Sequence, residues 1–161
     1  MKKLWCVALV SCLLAGCSAE VTMETVADEQ VLSQSVVREI RVELPEETVL
    51  PVMETDTGEI YICRDFEVWV ETLPGGDLQR TVGLLTGFDL EDVTVMERET
   101  EGKIRYDLAW SCAGETGPEV GRASIISDGA YHYCLAVQTP EENAAQCREM
   151  FNGMFESFTL E

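Results

Sequence analysis

The sequence predicts an α+β domain: a mostly antiparallel sheet of five to seven strands, with a carboxy-terminal helix packed on one face. Three observations carry that expectation. Short segments of β character, several alternating apolar and polar residues, recur between Thr48 and Gln138, as in strands with one buried face. Turn-forming residues separate them, at Asp56-Thr57-Gly58, Pro74-Gly75-Gly76, Gly114 to Pro118 and Asp128-Gly129. After Thr139 the period changes. Cys147, Phe151, Met154, Phe155 and Phe158 recur at helical spacing and form an apolar stripe that needs a sheet face to cover it.

The elements follow in order. Residues 17–44 are read as an acidic tether. Ser18 to Gln30 is polar and solvated, and Val31 to Leu44 is ambiguous, since Val36, Val37, Ile40 and Val42 fit either a strand or a short helix. Pro45 marks the expected start of a single α+β domain, residues 45–161. Val49 to Glu54 and Glu59 to Cys63 form a hairpin around Asp56-Thr57-Gly58. In Phe66 to Thr72, Phe66, Val68 and Val70 face one side and Glu67, Trp69 and Glu71 the other, which leaves Trp69 exposed. Asp77 caps a short helix carrying Leu78, Val82 and Leu85 that ends near Gly87. Val93 to Glu97 and Lys103 to Cys112 are strands, the second with Ile104, Tyr106, Leu108, Trp110 and Cys112 on one face. Val120 to Ser127 and Ala130 to Gln138 make the clearest hairpin, because Asp128-Gly129 favours the turn that matches strand twist. Thr139-Pro140-Glu141-Glu142 reads as a capping box opening the last helix: threonine at the N-cap, proline first, glutamate third.

The amino terminus has a different character. Lys2 and Lys3 precede an uncharged apolar run from Leu4 to Leu14, and small residues follow. These are the parts of an export signal, residues 1–16. A run of about eleven residues is short for a spanning helix, which needs about twenty. Leu14-Ala15-Gly16-Cys17 resembles the lipobox of bacterial lipoproteins. That resemblance implies cleavage between Gly16 and Cys17, a diacylglyceryl group on the Cys17 thiol, and fatty acyl chains such as palmitate. It also implies a protein held at the extracytoplasmic face of the cell membrane. Two acyl chains hold stably where one binds reversibly. A lipobox followed by a small sheet-and-helix domain looks like small Gram-positive lipoproteins, a grouping defined by address rather than activity.

Charge narrows the partners. The chain has 30 Asp and Glu against 11 Lys and Arg, a net charge of −19. Loss of Lys2 and Lys3 with the signal takes it to about −21. Nucleic acid is excluded as a partner, since phosphate binding needs clustered cations. A domain so charged stands off anionic lipid and reaches a membrane through its anchor.

No motif carries catalysis. Asp56-Thr57-Gly58 spells the aspartic-protease triplet, but Glu54 and Thr55 precede it where an apolar strand is needed, and a turn explains all three residues. His132, the single histidine, has no G-x-S-x-G elbow to serve, and Cys134 lies on its own strand face. Asp89, Glu91 and Asp92 lack the spacing and glycine of a calcium loop. The glycine clusters lack a P-loop lysine or a dinucleotide pattern, and no cofactor is implied. Cys63, Cys112, Cys134 and Cys147 are an even number outside the cytoplasm, without CxxC spacing, which permits two disulfides in three connectivities, or four reduced thiols where oxygen is absent, and gives poor support to a zinc site. In a meander of the last three strands Cys112 and Cys134 are about 10 Å apart, too far to bond. Cys134–Cys147 is the expected pair if the helix folds back over the Cys134 face, leaving Cys63–Cys112. The expected function is therefore a membrane-anchored extracytoplasmic module that binds or assists without catalysing. The alternatives are an envelope hydrolase using His132 or a carboxylate pair, and a structural component of a membrane complex.

Overall fold

The computed structural model describes residues 36–161 apart from 47, 49 and 101; Gly16 and Cys17, with the signal and most of the tether, lie outside the described residues. Among the described residues, nine strands and two α-helices follow one another in an α+β arrangement. The strands are β1 (Ile40–Arg41), β2 (Met53–Glu54), β3 (Gly58–Ile62), β4 (Glu67–Pro74), β5 (Thr94–Thr100), β6 (Lys103–Ala113), β7 (Pro118–Ser127), β8 (Tyr131–Pro140) and β9 (Thr159–Leu160). The helices are α1 (Leu78–Thr86) and α2 (Ala144–Ser157). Seven strands form one sheet in the order β2-β3-β4-β8-β7-β6-β5, with every neighbouring pair antiparallel. β1 and β9 form a separate two-stranded pair.

The sheet has a helix on each face. On one side α2 sets Cys147, Phe151, Met154 and Phe155 against Tyr61, Val68, Val70, Tyr133, Leu135 and Val137. On the other, Val82 of α1 packs with Leu108, Trp110, Ala123, Ile125, Cys134 and Ala136. β8 lies at the centre of the sheet, and six consecutive residues from His132 to Val137 are buried. Alternation along β8 is therefore weak, because a strand covered on both faces reads as a continuous apolar run. β4 shares that position, and Trp69 packs into the α1-side core rather than facing solvent. Its exposure, expected from the flanking glutamates, is corrected by the presence of a second covering helix.

α1 is capped as its sequence prescribes. The Asp77 carboxylate accepts from the Arg80 backbone N–H at 3.0 Å, and Gly87 closes the helix in the left-handed region at φ 75°. α2 departs from expectation. β8 runs on through Pro140, a 3-10 turn occupies Glu141–Asn143, and the α-helix starts at Ala144 without a side-chain cap. The Thr139 hydroxyl instead donates to the Asp65 carbonyl at 2.7 Å, tying the strand end to the loop before β4. Thr139 is buried, and that tertiary acceptor replaces the local capping box.

The boundary at Pro45 also moves. Ile40 pairs with Leu160 and Arg41 with Thr159. Ile40, Val42 and Leu44 pack against the α2-side core. The Arg38 N–H donates to the Tyr133 hydroxyl at 3.0 Å and the Glu43 N–H to the Ser157 hydroxyl at 2.9 Å. Residues 38–44 therefore belong to the fold, with Ile40 in β1 and Val42 and Leu44 packed on the core outside any strand. No helix among the described residues is long and apolar enough to cross a membrane.

Candidate functional site

His132 lies on β8 beneath α1 and is 3% exposed. Its Nδ1 and the Thr81 hydroxyl of α1 share a hydrogen bond of 2.7 Å. Thr81 is itself buried and also lies 3.2 Å from the Asp77 carbonyl. Burial pushes the imidazole below its ordinary value, against the smaller opposing pull of Asp128 and Asp77. A neutral ring offers one donor and one acceptor nitrogen, which suits this contact. The arrangement pins α1 to the sheet. It places a base next to a hydroxyl, but both are closed off from solvent, so no substrate reaches them in this conformation.

Cys134, two residues along the same face, is fully buried, and its thiol donates to the His132 carbonyl at 3.6 Å. Burial, helped by Glu71, pushes that thiol far up; burial and Glu119 raise the Cys112 thiol. The Cys147 thiol is also raised, by burial and Asp65 against a contact from Thr139. A thiol held protonated is a poor nucleophile.

The structure does not bring together the cysteine pairs considered from sequence. Cys134 belongs to the α1-side core and Cys147 to the α2-side core, so the sheet separates them. The helix covers the Tyr133, Leu135 and Val137 face, the opposite of the one the pairing required. Cys63 and Cys112 are divided in the same way, the first against the α2-side core and the second against the α1-side core. Cys112 and Cys134 do lie on the outer strands of the β6-β7-β8 meander. They are also out of level, Cys112 opposite Glu119 and Cys134 opposite Ile125.

The remaining sequence candidates are turns. Asp56-Thr57-Gly58 closes the β2–β3 hairpin, where the Thr55 hydroxyl accepts from the N–H groups of Thr57 and Gly58. Asp89 accepts from the Gln79 side chain at 2.9 Å and precedes a 3-10 turn that contains Glu91 and Asp92. Asp128 organises the β7–β8 turn. Burial alone would raise its carboxyl, but the N–H groups of Tyr131 and Ala130, the Tyr133 hydroxyl and Arg38 together bring it below its ordinary value.

A different grouping emerges beside α2, from residues that no sequence motif marked. The helix covers the β4-β8 part of its sheet face and leaves the β5-β6 part open. Arg98 stands opposite Arg105, and Arg105 opposite Ile126, so all three share that face. Lys103, two residues before Arg105, joins them. Arg98 and Arg105 both pair with Asp107, the latter at 3.3 Å. Arg105 also donates to the Phe155 carbonyl at 2.8 Å and lies 5.7 Å from the centroid of the Phe158 ring. Arg122 stacks 4.9 Å over Phe155 and donates to Asn152 at 3.0 Å. Two adjoining grooves follow this edge. One of 440 Å³ reaches from Met96 to Glu156, and one of 360 Å³ lies among Arg98, Lys103, Arg105, Ile126, Phe158 and Leu160. The sequence signal that could have found it is three cations on alternate positions of a hairpin in an acidic chain.

No protein-family model matches the chain, and no curated protein matches its sequence. Among solved structures, LpqN of Mycobacterium tuberculosis, described as involved in cell envelope biogenesis, superimposes with a TM-score of 0.51 at 14% identity, over 77% of this chain and 84% of that one. The cyanobacterial PsbP protein CyanoP of Synechocystis sp. PCC 6803 gives 0.49 at 12% identity, over 79% and 95%. The Saccharomyces cerevisiae Ran-binding protein Mog1p gives 0.48 at 14% identity, over 78% and 96%. The likeness to LpqN is one of overall fold.

Proposed function

We propose that this chain is a lipoprotein of the extracytoplasmic membrane face, acting there as a binding or accessory module rather than as a catalyst. The observation that carries the address is Leu14-Ala15-Gly16-Cys17 behind an apolar run of about eleven residues. The likeness to LpqN is one of fold, and the address does not rest on it. The geometry adds reach. Arg38 already bonds to the fold, so a lipid on Cys17 lies about twenty residues upstream. At about 3.5 Å per residue, that chain spans at most about 70 Å. The strongly acidic body is thereby held near the bilayer without having to lie on it. The non-catalytic reading is supported by the closure of His132 beneath α1 and by the raised thiols.

Cys17→Ser, expressed from the native chain, tests the address. The variant should persist as an uncut precursor or leave the membrane fraction, while wild type is cut and incorporates labelled palmitate. A Cys17→Ser protein that is processed and sediments with membranes like wild type would overturn the proposal.

A further inference from the structure

We propose that the 360 Å³ groove beside α2 is a binding site for a small, soluble amphiphilic anion: a phosphate or carboxylate head at Arg98 and Lys103, with an alkyl tail along Ile126, Phe158 and Leu160. This rests on the reading of the protein as a binding module and names the ligand class.

Charge is the first argument. Nine Lys and Arg follow Cys17 in a chain of net charge −19, and three of them line this one groove without a carboxylate among its described lining residues. Asp107, next to it, is one carboxylate for two guanidiniums, so a positive charge remains after both ion pairs form. Lys103 adds another, with no ion pair of its own among the described residues. Concentrating like charges on neighbouring strands is unfavourable by itself, and an anionic ligand relieves it.

Preorganisation is the second. The Arg105 side chain is 23% exposed and fixed by the Phe155 carbonyl, Asp107 and the Phe158 ring. Arg98, 56% exposed, engages Asp107 through Nη2 and keeps its remaining N–H groups for a head group. Apolarity is the third. Phe158 and Ile126 are buried and Leu160 half-buried, and they make one wall of the groove. An inorganic anion would leave that wall unused. The volume falls within the ordinary range for small-ligand sites, roughly 300–1,000 Å³. Size also excludes the larger polyanions. A nucleic acid or an anionic bilayer extending past the groove meets the carboxylates of the surrounding surface, whereas a compact anion does not.

Calorimetric titration of the full chain in phosphatidylcholine nanodiscs, with empty discs as blank, tests this. Octyl phosphate should bind at low ionic strength at least about tenfold more tightly than inorganic phosphate or octyltrimethylammonium. Arg98→Gln with Lys103→Gln should weaken octyl phosphate at least about tenfold at an unchanged melting temperature. Should the double variant not fold, Lys103→Gln alone should weaken binding in the same direction. Equal affinity for the three probes, or unchanged affinity in the variants, overturns the proposal. Displacement of octyl phosphate by phosphatidylglycerol placed in the disc would assign the head to a lipid surface and overturn it as well. None of these readouts depends on cleavage or acylation at Cys17, so the ligand and the address fail separately.

Discussion

Gly121 shows how tightly a single position is specified. It stands opposite Trp110 on the neighbouring strand, and the indole occupies the space beside its Cα. A Cβ built on Gly121 would come within 2.1 Å of Trp110 Cε2 and Cζ2. The constraint is steric, because the ring fills the space a side chain would take and β6 and β7 fix the register. Trp110 is buried, and its indole nitrogen has no hydrogen-bond partner among the described residues, so the ring is retained for packing rather than for a polar contact. Gly121→Ala should lower stability by about 1–3 kcal/mol, the usual cost of overpacking. Adding Trp110→Val should recover part of that loss in a double-mutant cycle, measured by urea denaturation. Additive losses would show that the indole yields freely and that the contact is unimportant.

At the scale of elements, the sequence was most legible where local chemistry and tertiary placement agree. Asp77 and Gly87 delimit α1, and Asp128-Gly129 closes the β7–β8 turn, because each effect acts within a few residues. It was least legible where a distant partner decides. Thr139 carries the local pattern of an N-cap, but its hydroxyl goes to Asp65, 74 residues away. The groove beside α2 was only faintly marked for the same reason: Arg98, Lys103 and Arg105 line one groove with Phe158 and Leu160 only once the carboxy-terminal segment lies beside the β5–β6 hairpin. β1 is the clearest case. Two residues of strand carry little periodicity, and its partner β9 is at the other end of the chain. Its contribution is testable. A chain starting at residue 45 loses the pairing with β9, the bonds from Arg38 and Glu43, and the half-buried Ile40, Val42 and Leu44. At roughly 1 kcal/mol for each partly buried side chain, the loss is about 3 kcal/mol. Compared with residues 36–161, that chain should melt about 10 °C lower. Coincident melting curves would return residues 36–44 to the tether.

For the whole molecule, the balance of buried titrating groups sets how stability follows pH. Burial raises Glu67, with help from Glu119, and burial raises Glu71. For these two the folded state binds protons more readily than the unfolded chain, so acidification favours folding as pH falls through their folded values. His132 works the other way. Its folded value lies below the ordinary value of 6.5, because the buried imidazole resists charging. Between those two values the unfolded state binds the extra proton, so the stability due to a neutral His132 is complete above about pH 6.5 and is lost as pH falls below it. His132→Gln keeps a polar partner for Thr81 and removes the titration. The stability of wild type relative to His132→Gln, read from urea midpoints between pH 8 and pH 5, should therefore fall on the acid side. Its slope has a ceiling of about 1.4 kcal/mol per pH unit for one proton. The glutamates contribute equally to both proteins and cancel in the difference. A difference that stays flat across this range would mean that His132 takes up its proton in the folded state as readily as in the unfolded one, and that α1 does not seal it.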